Sequence, residues 1–377
     1  MTQATGRDRY LDVLRAVAIV RVVTFHMFAI PWLSWLPAMG VMFALGGSLM
    51  AASMQRSAVR AVGGRIRRLL PALWVMGLIV VPAMFRHGWT AGDDGRDRAT
   101  LVFWLVPLAQ PPGNAWAADV TVVLWYLATY LWLVVLSPVA WWMFRRRPLL
   151  TVLLPLALLP LVEHGLSYGG WQLDFFALNN RAATVMLHVA TFGACWCTGF
   201  AHRTGALHRM RLPVLLSAAA VCIAAGAARA LIPNGVAGAA DLDDIPAGEA
   251  LYSLGFVVLL LRAAPAMSWL RRARPLDALV TLINARAVTV YLWHNAAIAV
   301  CFPIGDRLHA WRAGQFGYFA VALALLAAVA VVLGWVEDLA AKRRPVLFPT
   351  GHTRTSQPPH IATPPPQSQQ ATTGGNS

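Results

Sequence analysis

The chain has 377 residues, 58% of them hydrophobic and only 12% charged. A soluble globular protein carries about 25% charged residues, so the composition excludes a soluble enzyme and points to an integral membrane protein. The formal charge of +15 does not mark a nucleic-acid binder, which gathers its basic residues on one soluble face; here arginines sit in short loops between apolar runs.

Apolar stretches long enough to span a bilayer fall at about 12–33, 37–55, 69–86, 122–144, 149–165, 183–202, 211–232, 247–264, 286–303 and 316–340. A shorter run at 101–110, followed by Pro111-Pro112-Gly113, is too short to cross and is expected to lie at the interface or re-enter. Ten transmembrane helices are therefore predicted, in an all-α architecture. The first run is interrupted by Arg21 and His26 and lacks a small-x-small site after it, so no cleavable signal peptide is expected.

Loop charges test this count. Arg7 and Arg9, Arg56 to Arg68, Arg145 to Arg147, Arg203 to Arg211, Arg271 to Arg274 and Lys342 to Arg344 fall on one set of loops. Asp93, Asp94, Asp97, Asp119, Asp174, Asp241, Asp243, Asp244 and Asp306 fall on the other. The alternation places both termini in the cytoplasm by the positive-inside rule. The predicted membrane domain covers about residues 7–341. From residue 345 to 377, Pro358-Pro359, Pro364-Pro365-Pro366 and runs of Gln, Ser, Thr and Gly predict a disordered tail.

The opening helix is the most informative. Asp12, Arg15, Arg21 and His26 lie in or at the edge of its apolar run, and each costs a few kcal/mol near the bilayer centre, so a functional role is the default reading. Asp12 and Arg15 are three apart and can pair. Arg15 and His26 are eleven residues apart and share a helix face, with the imidazole about 16 Å deeper. Arg21 is turned away from that face and could pair with another helix, but the sequence assigns it no role. Where the third helix begins, Arg65 and Arg68 lie at i, i+3 ahead of Pro71, and paired guanidinium groups bind phosphate in fork geometry; contact with anionic lipids would need the same pair.

In the fourth helix Trp125-Tyr126-Leu127 reads, taken alone, as part of an interfacial aromatic belt. His188 in the sixth has no supporting pattern and is expected to be a packing residue. His294 follows Tyr291 and Trp293 in the ninth helix, where a core role and a catalytic one are equally open. Glu337 closes the tenth and could pair with a buried arginine. Cys195, Cys197, Cys222 and Cys301 all fall within predicted helices without a second ligand pair at zinc spacing; they are read as packing residues, and no metal is expected.

Taken in order, these pieces resemble the acyltransferase 3 family of polytopic membrane O-acyltransferases. The resemblance rests on Arg7 through Leu11-Asp12-Val13-Leu14-Arg15 with His26 late in helix one, Gly46-Gly47-Ser48 in helix two, and Arg65-x-x-Arg68-x-x-Pro71. Trp125-Tyr126-Leu127 and Tyr291-Leu292-Trp293-His294 complete it. It implies transfer of an acyl group from acyl-CoA, a donor substrate and no permanent cofactor, to a hydroxyl of a glycan, lipid or exported metabolite in a bacterial plasma (inner) membrane. By the same resemblance His26 is the catalytic residue and Arg15, Arg65 and Arg68 bind the donor. Asp12, Trp125, Tyr126, His294 and Glu337 are possible supporting residues. Two departures stand out: Gly46 replaces a common serine, and Tyr-Leu-Ala-Thr-Tyr after Trp125 lacks a common glutamate. The competing expectation, a transporter of an anionic or glycan substrate, would use buried arginines and a proton-accepting histidine without consuming acyl-CoA.

Overall fold

A computed structural model of the chain describes residues 8–89, 98–168, 179–231 and 241–347. Helices occupy all ten apolar stretches: α1 (Arg9–Phe28), α2 (Ala38–Met54), α3 (Ala58–Arg86), α4 (Leu124–Arg146), α5 (Pro148–Tyr168), α6 (Asn179–Arg203), α7 (Leu212–Leu231), α8 (Pro246–Ala263), α10 (Ala287–Arg307) and α11 (Gly314–Ala340), with a shorter α9 (Arg274–Ala285) before α10. Among the described residues, eight helical segments are long and apolar enough to cross a membrane. The other two stretches form α1, which carries Asp12, Arg15 and Arg21, and α5, an apolar helix over Pro148–Tyr168. Large apolar side chains such as Leu78, Val139, Val221, Phe316 and Val332 stand exposed on helix surfaces, which only a hydrocarbon environment accommodates in such number. The protein is an all-α polytopic membrane protein.

Without a hydrophobic driving force between lipid-bathed helices, close backbone approach holds them together. α2 supplies small residues on one face, and α6 meets it there. A Cβ on Gly47 would lie 2.0 Å from the Trp196 carbonyl oxygen, and one on Gly199 would lie 2.2 Å from that of Ala44. The Trp196 indole, 1% exposed, donates from Nε1 to Ser137 Oγ of α4 at 2.9 Å. At Gly46 a Cβ would meet the Trp196 ring at 2.7 Å and Tyr130 at 2.9 Å. Those two rings fill the space that a serine would need, which explains the first departure.

α1 crosses the bundle from an arginine-rich end to an aspartate-rich one. At its start Asp8 caps the helix, accepting from the Tyr10 amide at 3.1 Å. Arg9 bridges Asp12 (3.3 Å), Asp277 and Thr281 (3.0 Å). At its far end Arg21 donates from Nε to the Leu33 carbonyl at 2.7 Å and through its Nη atoms to Asp243 at 3.3–3.5 Å. The amphipathic α9, which the hydropathy pattern passes over as a basic loop, is the element that grips α1. Asn284 of α9 accepts from Arg15 Nη1 at 3.2 Å and donates to the Asp12 carbonyl at 2.8 Å.

The run at 101–110 forms a single turn, Val102–Leu105, and then irregular chain. Indoles satisfy carbonyls in and just after it: Trp74 bonds Leu105 at 2.8 Å, Trp132 bonds Leu108 at 2.7 Å and Trp104 bonds Pro112 at 3.1 Å. The loop residues Asp93, Asp94, Asp97 and Asp174, and the predicted tail from 348 on, lie outside the described residues.

Candidate active site

Two cavities penetrate the bundle from opposite ends. The first, about 340 Å³, opens at the arginine-rich end and is lined by Arg15, Arg65, Arg68, Tyr126, Asn284, Tyr291, Glu337 and Arg343. Residues of α1, α2, α3, α4, α9, α10 and α11 meet there: Arg65 and Arg68 line it from α3, and Asn284 of α9 bonds Arg15 from α1. Four guanidinium groups around one cavity make an anion site. Phosphate is the natural partner for that fork geometry. Arg65 and Arg68 also line an adjoining cavity of about 290 Å³ with Arg56, Arg60 and Arg67, so the positive field extends outward from the mouth.

The second cavity, about 250 Å³, is lined by Arg21, Phe25, His26, Trp125, His188, Tyr291, Asp241, Asp243, Asp244 and Glu249, among others. His26 is exposed to it, and among the described residues neither ring nitrogen has a hydrogen-bond partner. An imidazole with both nitrogens free in a polar cavity can take a proton from a bound hydroxyl. Behind it His294 is fully buried, its ring centroid 5.1 Å from that of His26. His294 Nδ1 lies 2.6 Å from the Tyr291 carbonyl oxygen. A carbonyl only accepts, so Nδ1 carries the proton and Nε2 is left with a free lone pair. That Nε2 is buried without a partner.

Tyr291 lines both cavities. Its ring packs 4.8 Å from that of Tyr126, and its hydroxyl is tied to the Val123 carbonyl at 2.8 Å. Phe43 lies 4.7 Å from Tyr126 and stacks on Phe192 at 4.7 Å, while Trp125 stacks on Phe192 at 5.7 Å and lies 4.4 Å from His188. The two cavities are thus separated by an aromatic partition rather than joined as an open channel.

The structure divides the predicted site residues. Arg15, Arg65, Arg68, Tyr126 and Glu337 come together in the first cavity, and His26 and Trp125 face the second. Trp125 and Tyr126 are interior residues, not an interfacial belt: successive positions on α4 turn one ring to each cavity. Asp12, 6% exposed, braces Arg9 at the start of α1. Glu337 does not make the expected arginine pair. Its Oε1 accepts the Thr289 amide at 2.6 Å, because it faces the first turn of α10, where amides lack intrahelical partners and the helix dipole is positive. One residue on, Asp338 takes the arginine instead, bonding the buried Arg286 at 2.9 Å.

His188 is more than a packing residue. It lines the second cavity and the neighbouring one that contains Arg181, with its Nδ1 buried and unpartnered. Arg21, to which the sequence assigned no role, lines the second cavity together with His26. Glu249 carries a sequence signal of the kind that singles out Asp12, a carboxylate three residues into an apolar helix, and sequence reasoning missed it. It brings to the His26 cavity, from α8, an acidic group of the kind that α4 lacks.

A polytopic helical bundle with an arginine-lined cavity at one end and a histidine-bearing cavity at the other is the setting for group transfer inside a membrane. The acyltransferase 3 family, described as an acyltransferase domain, matches residues 8–335. The chain belongs to this family and is an acyltransferase. No curated protein and no solved structure matches it.

Proposed function

We propose that the protein transfers an acyl group from cytoplasmic acyl-CoA to a hydroxyl of an acceptor held in the His26 cavity. The observation that carries this reading is the pair of cavities meeting at Tyr291, one lined by Arg15, Arg65, Arg68 and Arg343 and the other by His26. The arginine-rich end faces the cytoplasm, where positive loops are retained and acyl-CoA is found. The CoA phosphates bind Arg65 and Arg68, with Arg15 deeper along the wall. The pantetheine arm runs inward along Tyr126 to the partition, and movement of the Tyr126 and Tyr291 rings admits the thioester.

His26 then removes the proton from the acceptor hydroxyl as its oxygen attacks the thioester carbonyl. The tetrahedral intermediate collapses with cleavage of the carbon–sulfur bond. The imidazolium returns its proton to the departing thiolate, leaving free CoA and an O-acyl product. Glycan, lipid and exported metabolite all satisfy this scheme, since each can present a hydroxyl to the aspartate-rich end of the bundle.

The test uses the full chain in lipid nanodiscs with acyl-CoA and follows thiol release together with acceptor mass. His26→Ala abolishes transfer while retaining CoA binding; normal turnover by that variant refutes the assignment. Comparative mass spectrometry of envelope glycans, lipids and secreted metabolites from deletion and parent cells identifies donor and acceptor through the missing acyl mass.

A further inference from the structure

The His26 cavity has a charge that the transfer reaction itself does not require. Among the described residues its only lysine or arginine is Arg21, and that guanidinium is already engaged by the Leu33 carbonyl and the Asp243 carboxylate. It also lies 4.8 Å from the centroid of the Phe25 ring. Against it stand Asp241, Asp243, Asp244 and Glu249. In the loop, burial pushes the Asp243 carboxyl above its usual range, Arg21 pulls it back, and the Asp241 charge raises it further. Asp244 is raised by burial and then by Asp241. Carboxylates that crowd one another this way gain from a cation among them.

A second, independent observation comes from α8. Glu249 is 7% exposed and lines the cavity; Arg21 attracts it through space, but among the described residues no hydrogen bond or ion pair reaches its carboxylate. Burying a carboxylate without a hydrogen-bond or ion-pair partner is costly, and a cation entering the cavity would offset that cost. Across the cavity, Trp125 offers an aromatic face of the kind that sugar rings and cations pack against.

We propose that the acceptor is a polyol bearing an ammonium group, of amino-sugar chemistry, whose cation is held by Glu249 and the Asp241–Asp244 loop while a hydroxyl is presented to His26. This rests on the acyl-transfer reading and specifies its substrate. The arrangement also selects which group reacts. An amine paired with carboxylates stays protonated and has no lone pair to attack the thioester, so the acyl group goes to oxygen even though an amine is normally the better nucleophile. An anionic acceptor such as a uronate is repelled.

The experiment separates binding from chemistry. The full chain in nanodiscs, without donor, is titrated with methyl glucosaminide, methyl glucoside and methyl glucuronide by calorimetry at pH 7. The glucosaminide is expected to bind about tenfold or more tightly than the neutral glycoside, the return of one charge-assisted hydrogen bond, and the glucuronide more weakly than either. Glu249→Gln, with Asp244→Asn as a second variant in case the first misfolds, reduces that preference. A glucosaminide that binds no better than the glucuronide, or does not bind, overturns the proposal, as does a preference unchanged in both variants. Acyl-CoA-dependent thiol release is measured separately: its absence with every acceptor counts against acyl transfer and leaves the binding result to decide the acceptor class.

Discussion

The rings of His26 and His294 lie 5.1 Å apart with their planes at 50°, one facing the cavity and the other fully buried behind it. The buried ring is pinned through Nδ1 to the Tyr291 carbonyl, which leaves its Nε2 free beside the His26 ring. A His26 whose N–H is held by His294 presents its other nitrogen, unprotonated, to the acceptor. The acyl-transfer proposal thus gives His294 a positioning role, which kinetics can test. His294→Gln is expected to lower kcat about 10- to 100-fold, the range for a group that orients a general base, with donor KM unchanged. In steady-state kinetics the double variant with His26→Ala should be no slower than His26→Ala alone, because residues that act as a unit are not additive. Additive losses would make His294 an independent contributor.

The aromatic partition predicts a defect of a different kind. Under the proposed acyl transfer, Tyr126 and Tyr291 would keep the thioester out of the His26 cavity until the rings part. Tyr291→Ala removes the shared wall and should raise CoA release in the absence of acceptor while lowering transfer per CoA consumed. Tyr291→Phe loses only the bond to the Val123 carbonyl and should leave the two processes coupled. The ratio of acylated acceptor to free thiol measures this directly. An unchanged ratio in Tyr291→Ala would mean that the wall does not guard the donor.

Donor recognition should follow guanidinium geometry. Arg68→Ala is expected to raise the KM for acyl-CoA by about 10- to 100-fold, equivalent to the roughly 1.5–3 kcal/mol of a charge-assisted hydrogen bond, with kcat little affected. Arg68→Lys recovers only part of this because an ammonium cannot fork across two phosphate oxygens. Titrating dephospho-CoA thioesters against the intact donor would show which phosphate the arginine serves. Equal donor dependence in wild type and Arg68→Ala would remove Arg68 from the donor site.

What the sequence made legible was whatever is expensive in a membrane. Arg15, Arg65, Arg68 and His26 stood out because ionisable groups beside apolar runs need a reason, and three of the four do share a cavity. Helix positions followed from hydropathy for the same reason. What was hidden depends on partners brought from distant parts of the chain. Asp243 carries a topology signal like any other loop aspartate until Arg21, 222 residues earlier, is found bonded to it. Asn284 is unremarkable until it is seen holding both Arg15 and the Asp12 carbonyl. Trp125 and Tyr126 look like a belt because periodicity gives their separation in angle and not the cavities on either side. Glu337 and Asp338 are adjacent and chemically alike, and only the direction of α10 and the place of Arg286 decide which caps a helix and which pairs.

The packing of α2 on α6 gives the sharpest test of the fold, because two glycine positions separate space from helix propensity. Replacing a helical glycine by alanine is worth about 0.5–1 kcal/mol of stabilisation where the side chain has room. A Cβ added to Gly63 in α3 would have nothing within 4 Å, whereas at Gly47 the same carbon would sit 2.0 Å from the Trp196 carbonyl oxygen. Backbone cannot rotate away as a flexible side chain can, so α2 and α6 must separate, and overpacking of that kind costs about 1–3 kcal/mol or more. Gly63→Ala should therefore raise the midpoint of thermal unfolding in detergent, followed by size-exclusion fluorescence, and Gly47→Ala should lower it. Because Gly46 and the Tyr130–Trp196 contact lie beside this seam, the Gly47→Ala protein should also lose donor affinity in the first cavity at temperatures where it is still folded. A Gly47→Ala variant as stable as wild type would mean that the two helices are not in backbone contact.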